Sequence, residues 1–207
     1  MAYKVLIVDD FMMSRQVFEN AVNASDDYVL EASLNSAMDA VEYLKDRSAD
    51  LVIMDIVMTE GPNGLAAAKM IKDSNPNTKI IIVTSMPEVS YISRAKQIGV
   101  ESFWYKEVQE QPIIEIMDRT MAGESVYPSD SPVVPLGNAI SIDLTDREIE
   151  VLRLLTEGAS NREIAEKLDL SERTVKMHIT NMIQKTGFRS RLELAVKARV
   201  GGLVIPD

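Results

Sequence analysis

The chain has 207 residues, of which 46% are hydrophobic, with no cysteine and a single histidine. This length allows two domains that each bury a core, and the absence of cysteine excludes a disulfide framework, a zinc finger and a cysteine nucleophile. No apolar run approaches the roughly 18 residues that a membrane span needs, and residues 1–4 lead into an apolar segment without a cleavage signal. We therefore expect a cytoplasmic protein with no membrane partner.

The net charge of −10 is unevenly distributed along the chain. Residues 1–143 contain 11 Lys and Arg against 22 Asp and Glu, whereas residues 144–207 contain 11 against 10. Within residues 172–199 the ratio rises to seven basic residues against two acidic ones. A local excess of positive charge is what contact with nucleic-acid phosphates requires, so the charge pattern favours nucleic-acid binding by the C-terminal part alone.

The first 122 residues alternate short apolar runs with amphipathic stretches. The predicted strands are Tyr3–Val8, Tyr28–Ala32, Asp50–Met54, Lys79–Thr84 and Ser102–Tyr105, and the predicted helices lie near 13–23, 36–46, 64–74, 88–98 and 112–122. Residues 80–83 are all apolar, as in a strand that is covered on both faces. Five β-α repeats predict an α/β domain with a flavodoxin-like, doubly wound, five-stranded parallel sheet.

A segment rich in proline and serine follows this alternation. Residues 123–141 contain three prolines and two glycines and show neither helical nor strand periodicity. We therefore predict a domain at 1–122, a linker at 123–143 and a second domain at 144–207.

The second domain is predicted to be all-α. Three Ser/Thr-x-x-Glu patterns, at 145–148, 160–163 and 190–193, indicate capping boxes, and Ser171 is a fourth candidate N-cap. The four predicted helices are 145–157, 160–168, 171–186 and 190–200.

Polar side chains follow four of the predicted strands. Asp9 and Asp10 follow the first strand, Asp55 the third, Thr84 ends the fourth and Lys106 follows the fifth. In an open parallel sheet the carboxyl ends of the strands form the ligand-binding edge, so these side chains should lie together. A single aspartate after a strand is usually only a turn or helix cap, so the prediction depends on the whole set.

Crowded carboxylates repel each other unless a cation neutralises them. Mg²⁺ fits best, because it takes oxygen ligands and shares its shell with phosphate. Asp55 as a nucleophile would form an acyl phosphate. Lys106 and Mg²⁺ would then neutralise the phosphoryl oxygens, and Thr84 would donate a hydrogen bond to one of them.

Residues 1–122 resemble a response-regulator receiver domain in the segments VLIVDD (5–10), LVIMD (51–55), IVTS (82–85) and YK (105–106). The resemblance implies that a sensor histidine kinase phosphorylates Asp55. It also implies that Asp10, Asp55 and the backbone carbonyl of Val57 hold Mg²⁺, with Asp9 acting directly or through water. Such a domain catalyses only its own phosphoryl transfer and autodephosphorylation, so we do not expect an enzyme in the ordinary sense.

Two further features concern this resemblance. Phe103, three residues before Lys106, occupies the position of the family's aromatic switch, which moves with Thr84; a half-buried strand residue is the alternative interpretation. Thr59 stands where the family usually has proline, and the loop has one extra residue before Gly64.

The third predicted helix of the second domain has two different faces. Its apolar stripe of Val175, Ile179, Met182 and Ile183 is expected to pack in the core. The opposite face is polar and basic, which suits the major groove of DNA, although an ordinary solvated face has the same pattern.

Residues 144–200 resemble a LuxR-type helix-turn-helix in the segments LTDRE (144–148), GASNREIA (158–165) and LSERTVKMH (170–178). By this resemblance 171–186 is the recognition helix and the final helix offers a dimerisation surface. The candidate DNA-contacting residues are Arg173, Thr174, Lys176, Met177, His178, Thr180, Asn181, Gln184 and Lys185. The two halves together are similar to the NarL/FixJ group of response regulators.

We therefore expect phosphorylation of Asp55 to rearrange the Thr84/Phe103 region, promote a homodimer and control binding to double-stranded DNA. Two other functions stay open. The first domain could be a constitutive dimerisation or ligand platform, which the complete strand-end set disfavours. It could also be a flavodoxin-like enzyme or nucleotide binder, which the lack of a Gly-rich loop after the first strand disfavours.

Overall fold

The computed structural model describes residues 2–59, 61–86, 88, 90–106, 112–128 and 133–204. They form two compact units, residues 1–85 with 92–129 and residues 86–91 with 130–207. No helix in these described ranges is long and apolar enough to cross a membrane.

The first unit contains the predicted five-stranded parallel sheet. Its strands run in the spatial order β2-β1-β3-β4-β5, and every neighbouring pair is parallel. The strand bounds are β1 Tyr3–Val8, β2 Tyr28–Leu34, β3 Leu51–Asp55, β4 Lys79–Thr84 and β5 Ser102–Tyr105. The central strands β3 and β4 are buried along nearly their whole length, as their continuous apolar sequences predict.

Helices connect these strands and cover both faces of the sheet. Their bounds are α1 Met12–Asn23, α2 Ala37–Asp46, α3 Gly64–Ser74, α4 Ser90–Ile98 and α5 Ile113–Met121. Helices α1 and α5 supply Phe18 and Met117 to a core beneath β1 and β3–β5, where the Phe18 ring meets the Trp104 ring edge-on at 6.1 Å. Helices α2 and α3 pack against each other.

The chain after α5 lies along the edge strand β5. The Phe103 N–H donates to the Val126 carbonyl at 2.8 Å, and the Val126 N–H donates to the Ser102 hydroxyl at 3.1 Å. The Tyr127 hydroxyl donates to the Val100 carbonyl at 2.6 Å. An uncovered edge strand offers unpaired backbone groups to other chains, so the first residues of the predicted linker protect this edge.

The second half of the predicted linker is structured, which corrects the expectation that 123–141 has no strand. Two short antiparallel strands, β6 Pro135–Leu136 and β7 Ala139–Ile140, pair there, and a 3₁₀ turn follows at Ser141–Asp143. Gly137 takes a left-handed conformation, with φ of 66°, at the turn. Strands of two residues are too short to show periodicity. Residues 129–132 of the linker lie outside the described residues.

The second unit has the four predicted helices, each within one residue of prediction at both ends: α6 Asp146–Thr156, α7 Asn161–Leu168, α8 Glu172–Thr186 and α9 Arg191–Val200. Reciprocal capping boxes form at the starts of α6 and α7, and Ser171 caps α8. Only one of the two hydrogen bonds of the capping box predicted at the start of α9 is present. Ser190 accepts the Glu193 N–H, but the Glu193 carboxylate accepts from the Arg189 N–H instead.

A single apolar core joins these helices. Leu152, Ile164, Val175, Met182 and Leu194 come from all four helices and are fully buried in it. Val134 and Leu136 from the former linker join the same core. The Asn138 N–H at the hairpin turn donates to the carbonyl of Thr186 at 2.8 Å, at the end of α8. The hairpin therefore belongs to this unit.

Gly64 permits a close approach between α3 and the end of β3. A Cβ atom there would lie 1.8 Å from the Asp55 carbonyl oxygen, whereas a Cβ on Gly61 would meet nothing within 4 Å. We expect Gly64→Ala to lower the free energy of unfolding by about 2–3 kcal/mol. Gly61→Ala should cost about 1 kcal/mol for its left-handed conformation alone. Denaturation followed by Trp104 fluorescence measures the free energy of unfolding of both variants. An equal loss of stability in the two would contradict a steric clash at Gly64.

Candidate functional site

The carboxyl ends of β1, β3 and β5 bring three charged side chains together. The Lys106 ammonium lies 2.6 Å from Asp9 Oδ2 and 3.2 Å from Asp55 Oδ2. Asp9 is completely buried and Asp55 is 7% exposed. The prediction that these residues meet at one edge of the sheet is therefore correct in geometry.

Asp9 forms three further contacts besides its pair with Lys106. Its Oδ1 accepts from the Phe11 N–H at 2.9 Å, and its Oδ2 accepts from the Ser14 hydroxyl at 2.5 Å. The Arg15 guanidinium donates to the Asp9 carbonyl at 2.6 Å. Ser14 and Arg15, five and six residues after Asp9 in the first turn of α1, were not predicted, because a contact between a strand end and the following helix leaves no periodic signal. The Phe11 N–H and the Ser14 hydroxyl thus hold the Asp9 carboxylate, and Arg15 holds its backbone.

Asp10 points to a different partner. Its Oδ2 accepts two hydrogen bonds from Thr59, one from the N–H at 2.7 Å and one from the hydroxyl at 2.5 Å. From the sequence alone, Thr59 stands out only because it replaces the proline that the family usually has there. The loop after β3 is therefore tied to the end of β1.

Burial makes the charged form of Asp55 unfavourable. Desolvation raises the pKa of Asp55 to about 6; Lys106 opposes this rise and the nearby Asp9 adds to it. The Ile56 N–H donates to Asp55 Oδ1 at 2.8 Å and stabilises the anion further. The site thus holds a buried carboxylate whose negative charge one ammonium does not fully balance.

The donor set fits a hard divalent cation. Asp9, Asp10 and Asp55 each offer a carboxylate oxygen, and these oxygens lie within 4.8 Å of one another. Lys106 pairs with Asp9 and Asp55. One ammonium beside three carboxylates leaves an excess of negative charge, and oxygen ligands of this kind suit Mg²⁺. Val57, whose carbonyl is the fourth predicted ligand, is half-buried in the loop just beyond Asp55.

The two predicted switch residues are both buried. Thr84 is fully buried at the end of β4, and its carbonyl accepts from the Lys106 N–H at 2.9 Å. Phe103 is 1% exposed, so it is a fully buried rather than a half-buried strand residue, and its role as a switch stays a prediction. Its ring lies 5.1 Å from the Tyr105 ring and stacks on the Tyr127 ring at 6.4 Å. Tyr127 was not predicted from the sequence, because a tyrosine in a linker has no periodic signal.

Helix α8 of the second unit has the two faces that its sequence predicts. Val175, Ile179 and Met182 are buried, and Ile183 is partly buried against the same core. The exposed candidates are Arg173, Lys176, Met177, Thr180, Gln184 and Lys185, whereas Thr174, His178 and Asn181 are half-buried. The polar face is thus available over several turns of the helix.

Lys185 differs from the other candidates because it is engaged within the unit. Its ammonium donates to Glu148 Oε2 at 2.7 Å and to the Asp143 carbonyl at 2.9 Å. Glu148 is buried; burial alone would raise its pKa, but the hydrogen bonds from Lys185 and from the Thr145 backbone lower it below the ordinary value. Lys185 therefore ties α8 to the start of α6.

Two family models match the chain. Residues 5–118 match the response regulator receiver domain, and residues 143–198 match the luxR family of bacterial regulatory proteins. The chain belongs to the two-component response regulators that carry a LuxR-type DNA-binding domain.

Individual relatives share this build over nearly their whole length. The response regulator protein VraR of Staphylococcus saprophyticus is 31% identical over 96% of this chain and 97% of its own. The Fimbriae Z protein of Salmonella typhimurium is 32% identical over 92% and 93%, respectively. The transcriptional regulatory protein LnrK of Bacillus subtilis is 30% identical over 93% and 94%.

Solved structures show the same fold at lower identity. The RcsB–DNA complex matches with a TM-score of 0.64 and 20% identity, covering 96% of this chain and 98% of RcsB. RcsB of Salmonella enterica serovar Typhimurium, bound to promoter P1flhDC with the phosphomimetic BeF₃⁻, matches with a TM-score of 0.66 and 20% identity, covering 98% and 100%.

The buried charge of Asp55 should destabilise the metal-free protein. The pKa of Asp55 is about 6 in the folded state against 3.8 for an ordinary aspartate, so the penalty is complete above about pH 6 and absent below about pH 4. In EDTA at pH 7.5, Asp55→Asn should raise the free energy of unfolding by about 2 kcal/mol. Trp104 fluorescence during denaturation measures the gain, which should shrink toward pH 4. The exposed Asp26→Asn is the control, and an equal gain there would contradict the explanation.

The Lys185–Glu148 contact should appear as a coupling energy. Lys185→Met should cost about 1 kcal/mol in the wild-type background, since its ammonium is partly solvated. The same change should cost clearly less when Glu148 is already Gln, because only the hydrogen bond to the Asp143 carbonyl is then lost. Unfolding followed by circular dichroism gives the four values of the cycle. Equal costs in both backgrounds would show that Lys185 does not stabilise the unit through Glu148.

Proposed function

We propose that a sensor histidine kinase phosphorylates Asp55 with Mg²⁺, and that the phosphoryl group controls dimerisation and sequence-specific DNA binding to regulate transcription. The proposed receiver is 1–122, the linker 123–143 and the reader 144–207. The observation that carries the proposal is the buried Asp55 carboxylate, with Lys106 within 3.2 Å and two further carboxylates beside it. The protein would act on DNA in the cytoplasm.

The residues around Asp55 have complementary roles in accepting a phosphoryl group. The Asp55 carboxylate attacks phosphorus, a P–O bond forms, and the phosphodonor leaves with the electrons of its own bond to phosphorus. Lys106 neutralises negative charge on the transferred group, and Thr84 donates a hydrogen bond to one of its oxygens. When bound by Asp10, Asp55 and the Val57 carbonyl, with Asp9 directly or through water, Mg²⁺ supplies further positive charge. The chemistry is confined to this transfer and its hydrolysis, so no separate substrate is turned over.

Phosphorylation would act on the rest of the receiver through charge. A phosphorylated carboxylate carries roughly 1.5 to 2 negative charges, and Thr84 would reorient toward the new oxygens. Phe103, which lies three residues before Lys106, would follow Thr84 as the aromatic switch. Because Tyr127 stacks on Phe103, the linker would respond to the same change.

The reader would place α8 in the major groove of DNA. Its exposed face presents Arg173, Lys176 and Gln184, whose side chains suit phosphates and base edges. Thr174, Met177, His178, Thr180 and Asn181 complete the proposed contact surface, together with Lys185 if its pair with Glu148 opens. The family membership and the DNA complexes of RcsB, which has the same fold, support this assignment.

Helix α9 offers an apolar stripe for a second copy of the chain. Leu192, Val196 and Val200 recur every four residues and are 71%, 50% and 81% exposed. Side chains at this spacing lie on one face of a helix. Dimers of RcsB, a protein with this fold, have been described on DNA, and a two-fold dimer would set two α8 helices about one DNA turn apart.

A phosphodonor titration tests this function. Full-length wild type and Asp55→Ala are treated with acetyl phosphate and Mg²⁺, and molar mass by light scattering and DNA affinity are measured on the same samples. Wild type should become dimeric and bind DNA at least tenfold more tightly, and Asp55→Ala should not respond.

Leu192→Ser, on the exposed stripe of α9, is the matched control that separates dimerisation from phosphorylation. It should still take up the phosphoryl group while losing dimerisation, because it alters only the exposed stripe on α9. Unchanged mass and unchanged DNA affinity of phosphorylated wild type would contradict the proposal and favour a constitutive dimerisation platform.

A further inference from the structure

Thr59 joins two segments that are far apart in sequence. It lies in the loop after β3, 49 residues from Asp10, and both its N–H and its hydroxyl donate to Asp10 Oδ2, at 2.7 and 2.5 Å. The loop that contains Val57 is therefore attached to the carboxylate that follows β1.

Both hydrogen bonds end on the same oxygen of Asp10. A carboxylate has about four lone-pair sites on its two oxygens, and neither hydrogen bond uses Oδ1. Thr59 thus orients the Asp10 carboxylate and leaves one oxygen for a ligand. Oδ1 is therefore the oxygen of Asp10 that neither Thr59 donor obstructs.

We propose that Thr59 is a positioning residue, which sets Asp10 and the loop of residues 56–59 in the arrangement that accepts the divalent cation. The inference rests on the proposed function, since the cation is the one required for phosphorylation. Thr59 itself does not touch the reacting atoms.

Thr59 would favour metal binding by preorganising the ligands. Mg²⁺ requires near-ideal octahedral geometry, and its proposed ligands Asp10 and Val57 lie on separate segments of the chain. If the loop were not attached to Asp10, metal binding would have to order both segments at once, and that entropy would reduce affinity. Because Thr59 is exposed, water replaces its lost hydrogen bonds in part, so the effect should be several-fold rather than many orders of magnitude.

Substitutions at Thr59 separate the two hydrogen bonds. Thr59→Ser keeps the hydroxyl and the N–H, Thr59→Val keeps the shape and the N–H, and Thr59→Pro removes both donors. Mg²⁺ affinity is measured by isothermal titration calorimetry on the full, unphosphorylated chain, with Mn²⁺ binding by electron paramagnetic resonance as a second readout. Circular dichroism confirms that each variant is folded.

The serine variant should bind Mg²⁺ within twofold of wild type. The valine variant should bind about fivefold more weakly and the proline variant about tenfold or more. The rate of phosphorylation by acetyl phosphate at saturating Mg²⁺ should stay unchanged in Thr59→Val, while the half-saturating Mg²⁺ concentration rises by the same fivefold. A residue that acts on the chemistry itself would change the saturated rate.

Two results would overturn the inference while leaving the proposed function intact. Equal Mg²⁺ affinity of Thr59→Val and wild type would show that the hydroxyl has no positioning role, and tighter binding would show that it competes with the metal. The proposed function has its own control in Asp10→Asn. If wild type bound no Mg²⁺, or if Asp10→Asn bound it as well as wild type, the metal site and the role of Thr59 would both be wrong.

Discussion

The contact of one ammonium with two carboxylates at the edge of a parallel sheet is the constraint on which the receiver half of this protein depends. Lys106 lies within 3.2 Å of both Asp9 and Asp55, which come from different strands. The parallel topology forces these strand ends together, and burial then makes their negative charge costly. Because one Lys106 does not offset this charge, Asp55 keeps a raised pKa. The same imbalance that weakens the resting fold favours the binding of a divalent cation.

The edge strand β5 connects this site to the linker within the same unit. Lys106 follows the strand, Phe103 lies inside it, and the backbone of Phe103 bonds to Val126. The Tyr127 ring stacks on the Phe103 ring. The Lys96 ammonium lies 4.8 Å from the centroid of the same Tyr127 ring. If Phe103 moved as the proposed switch, the displacement would reach the linker through its contacts with Val126 and Tyr127. The first residues of the linker serve both as the cover of the sheet edge and as a contact of the proposed switch.

The sequence predicts a residue's position correctly where that position follows from the periodicity of strands and helices. The ends of the strands place Asp9, Asp55 and Lys106 together whatever the details of the loops, and the predicted helix bounds of the second unit differ from the observed ones by at most one residue. The sequence does not predict contacts that depend on how a loop folds. Thr59 reaches Asp10 only because the loop after β3 folds back, and the hairpin at 135–140 is too short to leave a pattern. The half-formed cap at Ser190 is a failure of the same kind, because the Glu193 carboxylate accepts from the Arg189 N–H and not from the N–H of the cap residue.

Charge along α8 shows why a basic residue alone does not identify a contact with DNA. Arg173 and Lys176 form no ion pair with another described residue, whereas Lys185 at the far end of the helix pairs with the buried Glu148. The charges that remain available for phosphate thus concentrate at the N-terminal half of the helix, which is the end that contacts base edges in helix-turn-helix proteins. The pair at the C-terminal half fixes the helix against α6 instead. A recognition helix needs both properties, because side chains can discriminate between bases only if the backbone that carries them is held in place.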